Sequence, residues 1–385
     1  MDMHSTCCQR WLSVTQSERV NVMSNADAYA PGLLSRFPEP PQKIALLRAS
    51  RIGDFLCAIP AIRAIRTALP DAEITMITLP MLQELAQRSP YIDKVALFPG
   101  FPWIAEQLFE PRKTVQFLQQ MQDEHFDLAI QMQGTGLFSN PFTLLLGART
   151  TAGFVRLDDS AGLLDAALPY PQRQHEIRTV LAMSTFLGAP EQGEQLEFPL
   201  WTQDYQAAEQ LLHMHCVKPP LIGLHPAARD ATRRWFVERF AEVGNMLQRR
   251  HGGTVLLLGE PEEQHTGEHL ASLLHVPYLN LIGKTSLVSL GALMTHLSVF
   301  ITNDTGPAHI AYALNIPTVT IFGGGDPALN GPLMPGPFRV LKYDVACRPC
   351  GYGTCPIGDV CLKGVTVEMV VQASEEIFKD NTTGY

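Results

Sequence analysis

The feature that most constrains this chain is a rhythm of short apolar runs alternating with helix-period stretches, played through twice. "KIALLR", beginning at Lys43, is a compact apolar run. A polar loop separates it from "FLCAIPAIRAIRTALP", where Leu56, Ile59, Ile62, Ile65 and Leu69 fall on one helical face. Pro60 is tolerable in that helix if the helix starts near Leu56, because only the first turn lacks a partner for its N–H. "AEITMITLP" is strand-like, "LQELAQRSPYIDKVALF" is helix then strand, and "VQFLQQMQDEHFDLAIQMQG" repeats the unit. After "PPLIGLHP" the rhythm restarts through "RWFVERFAEVGNMLQRRH", "GTVLLLGEP" and "SVFITN" to "IPTVTIFGGGD". Strands that alternate with helices are joined by crossovers and build parallel, doubly wound sheets. The expected class is therefore α/β with two such units, the junction lying between residues 200 and 218. Their carboxyl strand ends would face a shared cleft, where open α/β sheets bind ligands.

Composition supports two cores. The chain has 385 residues, 46% of them hydrophobic and 17% charged, which suits two domains and excludes a disordered or fibrous class. A net charge of -9 argues against nucleic acid as a partner. No apolar run has the length of a membrane span. The N-terminal "MDMHSTCCQRWLSVTQSERV" is broken by Gln9, Arg10, Ser13 and Gln16, unlike a secretory leader, so a cytosolic location is expected. In that compartment the eight cysteines are expected as thiols or metal ligands rather than disulfides. Residues 1–40 are polar, end in "FPEPPQ" and are expected to form a flexible arm.

Five stretches carry candidate chemistry. "TNDTGPAHIAYALNIPTVTIFG" places Asp304, Thr305 and Gly306 between a strand and a helix opened by Pro307. The free N–H groups of such a helix start and its dipole favour an anion, Gly306 permits close approach, and Thr305 and His309 can add donors. Alternatively Asp304 or Thr305 only caps the helix. "RASRIGDFLCAIP" is the counterpart in the first half. Asp54 there could accept a proton from a hydroxyl or merely cap a helix, and Arg48 and Arg51 could grip carboxylates or phosphates. "LHPAARDATRRWFVERF" offers Arg229, Arg233 and Arg234 beside a helix start, which suits a diphosphate. "LLLGEPEEQ" brings Glu260, Glu262 and Glu263 off a strand, where a carboxylate can hold sugar hydroxyls. Finally, Cys347, Cys350, Cys355 and Cys361 have the spacing C-x2-C-x4-C-x5-C. Four thiols this close suit a structural zinc or an iron–sulfur cluster, or simply reduced thiols in a tight loop. An NAD-dependent oxidoreductase is excluded, since neither first strand–helix turn carries G-x-G-x-x-G.

In order and spacing, these stretches together resemble glycosyltransferase family 9, the heptosyltransferase family, from about residue 43 to residue 377. "LLLGARTTAGF" adds to the likeness. The resemblance implies a GT-B fold, two Rossmann-like domains facing a central cleft. It implies an acceptor-binding unit over residues 41–205, a donor-binding unit over 206–345, and a cysteine-rich segment with a closing helix over 346–385. It further implies an inverting transferase that needs no metal for catalysis. Such an enzyme takes a heptose or related sugar from a nucleotide-activated donor, ADP being expected, to a lipopolysaccharide-type glycolipid or other glycan at the inner face of the cytoplasmic membrane. By position, Asp54 matches the general base, while Asp304, Thr305, Gly306 and His309 match donor-binding residues. Arg233 stands where such enzymes can carry a phosphate-binding lysine, and Glu263 matches a carboxylate that contacts the ribose. Arg48 and Arg51 remain for the acceptor. Ala227 and Ala228 depart from the hydroxyl residues found there in some members, which removes side-chain phosphate contacts. Two other functions fit the same fold: a nucleotide-sugar epimerase or hydrolase, which would turn over donor without acceptor, and a non-catalytic binding protein.

Overall fold

Two six-stranded parallel sheets organise the chain, and a computed structural model describes residues 27–157 and 163–383. The first half runs β1 (Lys43–Leu47), α1 (Ile52–Ala68), β2 (Glu73–Thr78), α2 (Gln83–Gln87), β3 (Lys94–Leu97) and α3 (Pro111–Asp123). It continues through β4 (Leu128–Gln131), α4 (Ser139–Leu145), β5 (Thr150–Val155), β6 (Ala166–Pro169) and α5 (Glu176–Leu187). The second half runs α6 (Thr202–Met214), β7 (Leu221–His225), α7 (Val237–His251), β8 (Thr254–Leu257), α8 (Gln264–Leu273), β9 (Tyr278–Asn280) and α9 (Leu287–Met294). It ends with β10 (Val299–Asn303), α10 (Gly306–Ala313), β11 (Thr318–Phe322), α11 (Pro327–Asn330), β12 (Phe338–Lys342), α12 (Val360–Gly364) and α13 (Val367–Thr383).

The strand orders are β3-β2-β1-β4-β5-β6 and β12-β11-β10-β7-β8-β9. These are the same doubly wound order written twice, so the direction of winding reverses between β1 and β4 and again between β7 and β10. The central strands are apolar along their length because helices cover both faces. Ile44, Ala45, Leu46 and Leu47 of β1 have no exposure, nor do Val299, Phe300 and Ile301 of β10. Each of the larger of these side chains contributes about 1.5–3 kcal/mol through burial.

The apolar cluster of the first sheet does not stop at the junction. It continues from Phe55 and Ile59 on α1 to Ile310 and Ala311 on α10, so these two helices form the seam between the halves. α6 lies at the junction and includes residue 205, and its Asp204 pairs with Arg88 behind α2 at 2.5 Å. α13 packs on α7 and β11, sharing a core with Trp235 and Phe240.

Two local expectations change. α1 begins at Ile52, four residues before Leu56, with extended Arg51 as its cap and Phe55 N–H donating to Arg51 O at 2.9 Å. Pro60 therefore sits inside the helix, and packing on both flanks carries the helix through the missing bond. Of the arm, residues 1–26 lie outside the described residues, while within 27–40 Ala28 and Leu33 are buried and Pro38, Glu39 and Pro40 are exposed. Leu33 is 1% exposed, and Gly32 N–H donates to Phe186 O at 2.8 Å. An apolar anchor among polar neighbours is enough to dock such a segment.

Candidate active site

The two winding reversals face each other, and each is pinned by a buried polar side chain. In the first half the loop after β1 is tied to the loop after β4. Arg48 donates to Met132 O, and Ala49 N–H donates to Gln133 Oε1 at 2.8 Å. In the second half Asn303, at the end of β10, holds the loop after β7. Its amide donates to Pro226 O at 2.8 Å and Ala227 O at 3.1 Å, while its oxygen accepts Trp235 N–H at 3.0 Å. Buried polar groups fully used in this way fix the loops they bridge.

From these pinned loops α1 and α10 start almost in contact. A Cβ on Gly53 would lie 2.8 Å from the His309 ring, and one on Gly306 would lie 2.1 Å from Ile52. Glycine at both places is what allows two helix N-termini to approach so closely. Neither helix is capped by a side chain. Arg51 and Thr305 occupy the cap positions in extended conformation without a capping bond, and the Thr305 hydroxyl turns to Asn303 O at 3.3 Å. The capping alternatives for Asp54, Asp304 and Thr305 therefore do not hold. Two positive dipole ends converge on one gap, each worth about 0.3–1 kcal/mol to an anion, more where water is excluded.

Asp54 stands in the first turn of α1 at this gap. Its side chain keeps 52% of its accessible surface, in the cleft, with protein on its other sides. Desolvation raises its carboxyl above the ordinary aspartate value, as do Glu176 and Glu106, against the opposing pull of Arg48 and Arg233. A base made stronger in this way suits proton abstraction. Arg48 lies behind it, 3.8 Å from Asp54 Oδ1 and only 2% exposed. Its guanidinium also donates to Asp54 O, at 3.1 and 3.0 Å, and to Glu176 Oε1 at 2.7 Å. With its donors spent inside the protein, Arg48 braces the start of α1 rather than presenting itself to an acceptor. Arg51 is exposed and holds Glu106 at 2.9 Å.

The second half supplies the facing wall. Asp304 is 3% exposed, and burial pushes it up to about 6 even though Arg233 lies 3.2 Å away. His309 is buried, and desolvation pulls it down to about 4, so at neutral pH it is an uncharged imidazole. Its Nδ1 lies 3.7 Å from Cys57 Sγ on α1. His225 meets Thr302 Oγ1 at 3.1 Å through Nδ1 and Glu263 Oε2 at 3.3 Å through Nε2. Glu263 also accepts Glu260 N–H at 2.8 Å on the same oxygen. Burial would raise its carboxyl, but these partners hold it below the usual range. Arg233, Asp304, Thr305, Gly306 and His309 thus gather where β10 gives way to α10, Glu263 joins them through His225, and Asp54 stands on the facing helix.

Four residues missing from the sequence reading complete the arrangement. Besides Asn303, Glu176 takes Arg48. Glu106 bridges Arg51 and, across the cleft, Arg229 at 2.6 Å. His175 caps α5 by accepting Ile177 N–H at 3.3 Å, and its other nitrogen meets Gly331 O of the second half at 2.9 Å. Only Asn303 left a trace in the sequence, as a polar residue ending the apolar run "SVFITN".

The four cysteines are not gathered as ligands. Among the described residues no three His, Cys, Asp or Glu side chains form a group that could hold a metal ion. The segment is fastened by hydrogen bonds to main-chain oxygens instead. Cys350 N–H donates to Gly324 O at 2.7 Å, Arg348 donates to Gly323 O at 2.8 Å, and Thr232 Oγ1 donates to Tyr352 O at 3.1 Å. Cys361 turns into the apolar core beside Leu362. The segment thereby backs the turn that carries Arg233.

Comparison with known proteins bears on the family and the fold. Residues 114–360, more than half of the chain, match the model of glycosyltransferase family 9 (heptosyltransferase). The lipopolysaccharide core heptosyltransferase OpsX of Haemophilus influenzae is 25% identical over 315 residues, covering 80% of this chain and 86% of that protein. Among solved structures, a family 9 glycosyl transferase from Veillonella parvula has a TM-score of 0.76 at 19% identity, covering 88% of this chain and 98% of that one. The ADP-heptose lipopolysaccharide heptosyltransferase II of E. coli has a TM-score of 0.72 at 19% identity, covering 89% and 100%. The two facing doubly wound units are a GT-B fold.

Proposed function

The chain belongs to glycosyltransferase family 9, and on that premise we propose that it transfers a heptose from ADP-heptose to a lipopolysaccharide-type glycolipid at the cytoplasmic face of the membrane. The observation that supports this reading is the near-contact of the α1 and α10 N-termini, and on this reading Asp54 of one half works against a diphosphate held at the α10 start of the other. In the proposed reaction the acceptor hydroxyl attacks the anomeric carbon from the Asp54 side, and Asp54 takes its proton. The bond from that carbon to the diphosphate breaks on the opposite face, so the configuration inverts. Negative charge then grows on the departing ADP beside the Gly306 end of α10, the Thr305 hydroxyl and Arg233. Donors aimed at developing charge in a site shielded from water are typically worth about 3–4 kcal/mol of barrier each. Neutral His309 fits a hydrogen-bonding role here better than a charged one. On this reading Glu263, held by His225 and the Glu260 main chain, accepts ribose hydroxyls, and Arg51 meets acidic groups of the acceptor. Among the described residues no helix is long and apolar enough to cross a membrane. The test is ADP release from ADP-heptose with and without a lipopolysaccharide inner-core acceptor. Acceptor-dependent release with a heptosylated product supports the proposal. Equal release without acceptor would make the chain a hydrolase and overturn it.

A further inference from the structure

Two loops at the carboxyl edge of the first sheet leave large apolar side chains in water. Between β3 and α3, Trp103 is 80% exposed, Leu108 77% and Phe109 39%. Between β4 and α4, Leu137 is 47% exposed and Phe138 43%. They form one surface rather than scattered points. The Trp103 and Phe138 rings lie 6.2 Å apart, and Phe109 meets Phe101 edge-on at 6.5 Å. Leu108 is held by its own main chain, since a Cβ on Gly100 would come within 2.3 Å of its carbonyl oxygen. Beneath the patch Phe142 packs on Phe98 and Phe101 at 5.1 and 5.3 Å, which makes a stiff aromatic floor. Trp103 itself has φ of 68°, a left-handed conformation that a bulky residue adopts only where surrounding structure imposes it. The loop is thus built to point its indole outward. Contiguous exposed apolar surface of this kind marks a contact site.

The position of the patch relative to the cleft and its charge indicate the partner. The loop that carries Trp103 and Leu108 also carries Glu106, whose bond to Arg51 ties it to the turn that leads into Asp54. The patch therefore borders the acceptor side of the cleft mouth. Although the chain carries a net charge of -9, both acidic groups of this loop are matched: Glu106 by Arg51 and Arg229, and Glu110 by Lys113 at 2.7 Å. Arg112, exposed one residue after the helix start, has no acidic partner among the described residues. An outward Trp, neighbouring Leu and Phe, and an unmatched Arg suit the interface of an anionic bilayer.

We propose that Trp103, Leu108, Leu137 and Phe138 insert into the surface of a phospholipid bilayer and hold the cleft mouth at the level of the acceptor's sugars. The acyl chains of the acceptor then stay in the membrane while its reacting hydroxyl reaches Asp54. This inference rests on the reading of the acceptor as a glycolipid, but its test does not require turnover.

The experiment is co-sedimentation of the full chain with vesicles of phosphatidylethanolamine and phosphatidylglycerol, with tryptophan emission followed in parallel. Wild type is expected to pellet with the vesicles and to shift its emission to the blue. The triple variant Trp103→Ser/Leu108→Ser/Phe138→Ser is expected to lose about tenfold or more in partitioning, while its ADP thermal shift and its transfer to a deacylated, water-soluble acceptor stay unchanged. Transfer to vesicle-embedded acceptor should fall. Leu108→Ser alone supplies the same comparison if the triple variant does not fold, and Arg112→Gln should weaken binding only to vesicles containing phosphatidylglycerol. Wild type that stays in the supernatant, or variants that pellet as well as wild type, would overturn the proposal. So would a triple variant whose only change is its mass by light scattering, which would assign the patch to contacts between copies. Failure of the transferase reading would leave vesicle binding intact, so the two are separable.

Discussion

Arg229 and Glu106 meet at 2.6 Å across the mouth of the cleft, one from each half of the molecule, and the other Glu106 oxygen holds Arg51 at 2.9 Å. Because Arg229 is half-exposed, the pair contributes less than about 1 kcal/mol to stability. Its effect falls on the relative position of the two halves. Glu106→Gln should leave the melting temperature within about 3 °C of wild type, yet enlarge the radius of gyration of the ligand-free protein in X-ray scattering. Burial alone would raise the Glu106 carboxyl, but the two arginines outweigh it and hold it below the ordinary value. Its contribution is therefore present above the unfolded-state value and lost as pH falls through the lower folded one. The wild-type radius should stay constant into mild acid and grow only below the usual glutamate range. Identical scattering from wild type and Glu106→Gln would remove the clasp from the account.

Asp304 and His309 pull the pH dependence of stability in opposite directions. Burial raises Asp304 from 3.8 to about 6, so the folded protein binds this proton more tightly than the unfolded chain. The carboxylate therefore costs stability as pH rises from about 4 to about 6, and Asp304→Asn, which copies the protonated acid, relieves that cost. The variant should match wild type near pH 4 and exceed it near pH 8, by at most about 3 kcal/mol. Burial lowers His309 from 6.5 to about 4, so the unfolded chain is protonated first and stability declines as pH falls across that range. His309→Gln should lose that decline. Thermal melts from about pH 4 to 8 check both. Slopes of the same sign for the two variants, relative to wild type, would contradict the burial of one of them.

Glu176 serves Asp54 indirectly, through Arg48. Glu176→Gln leaves the Arg48 guanidinium, 2% exposed, without its bonded anion and should cost about 1–3 kcal/mol in urea unfolding. Because Glu176 also raises the Asp54 carboxyl, the variant should move the acid limb of the rate profile to lower pH. A change in stability alone, with the limb unmoved, would reduce Glu176 to a structural prop.

Much of this was legible in the chain because it is local. Strand–helix alternation made the two doubly wound units visible, and "SRIGD" and "NDTGPAH" marked the turns where they meet. What stayed hidden depends on residues far apart in sequence. Glu106 and Arg229 are separated by 123 positions, Arg48 and Glu176 by 128, and no periodicity links them. Arg48 reads as an acceptor grip because the sequence carries no sign that Met132 O and Glu176 would enclose it. The cysteine spacing was a local signal with more than one outcome. Hydrogen bonds to the main-chain oxygens of Gly323 and Gly324, invisible in spacing, decided how the segment lies.

The most direct test of the account is the transfer rate of Asp54→Asn at saturating ADP-heptose and acceptor, measured beside the thermal shift given by ADP. The amide keeps the shape of the side chain but cannot take a proton. The expected result is a rate lower by about 10²–10⁴-fold with the ADP shift intact, and a wild-type acid limb above the ordinary aspartate value because desolvation between the cleft walls, with Glu176 and Glu106 nearby, raises this carboxyl. A variant that retains its rate within about threefold, where removal of a general base typically costs at least a hundredfold, would contradict the claim that Asp54 deprotonates the acceptor.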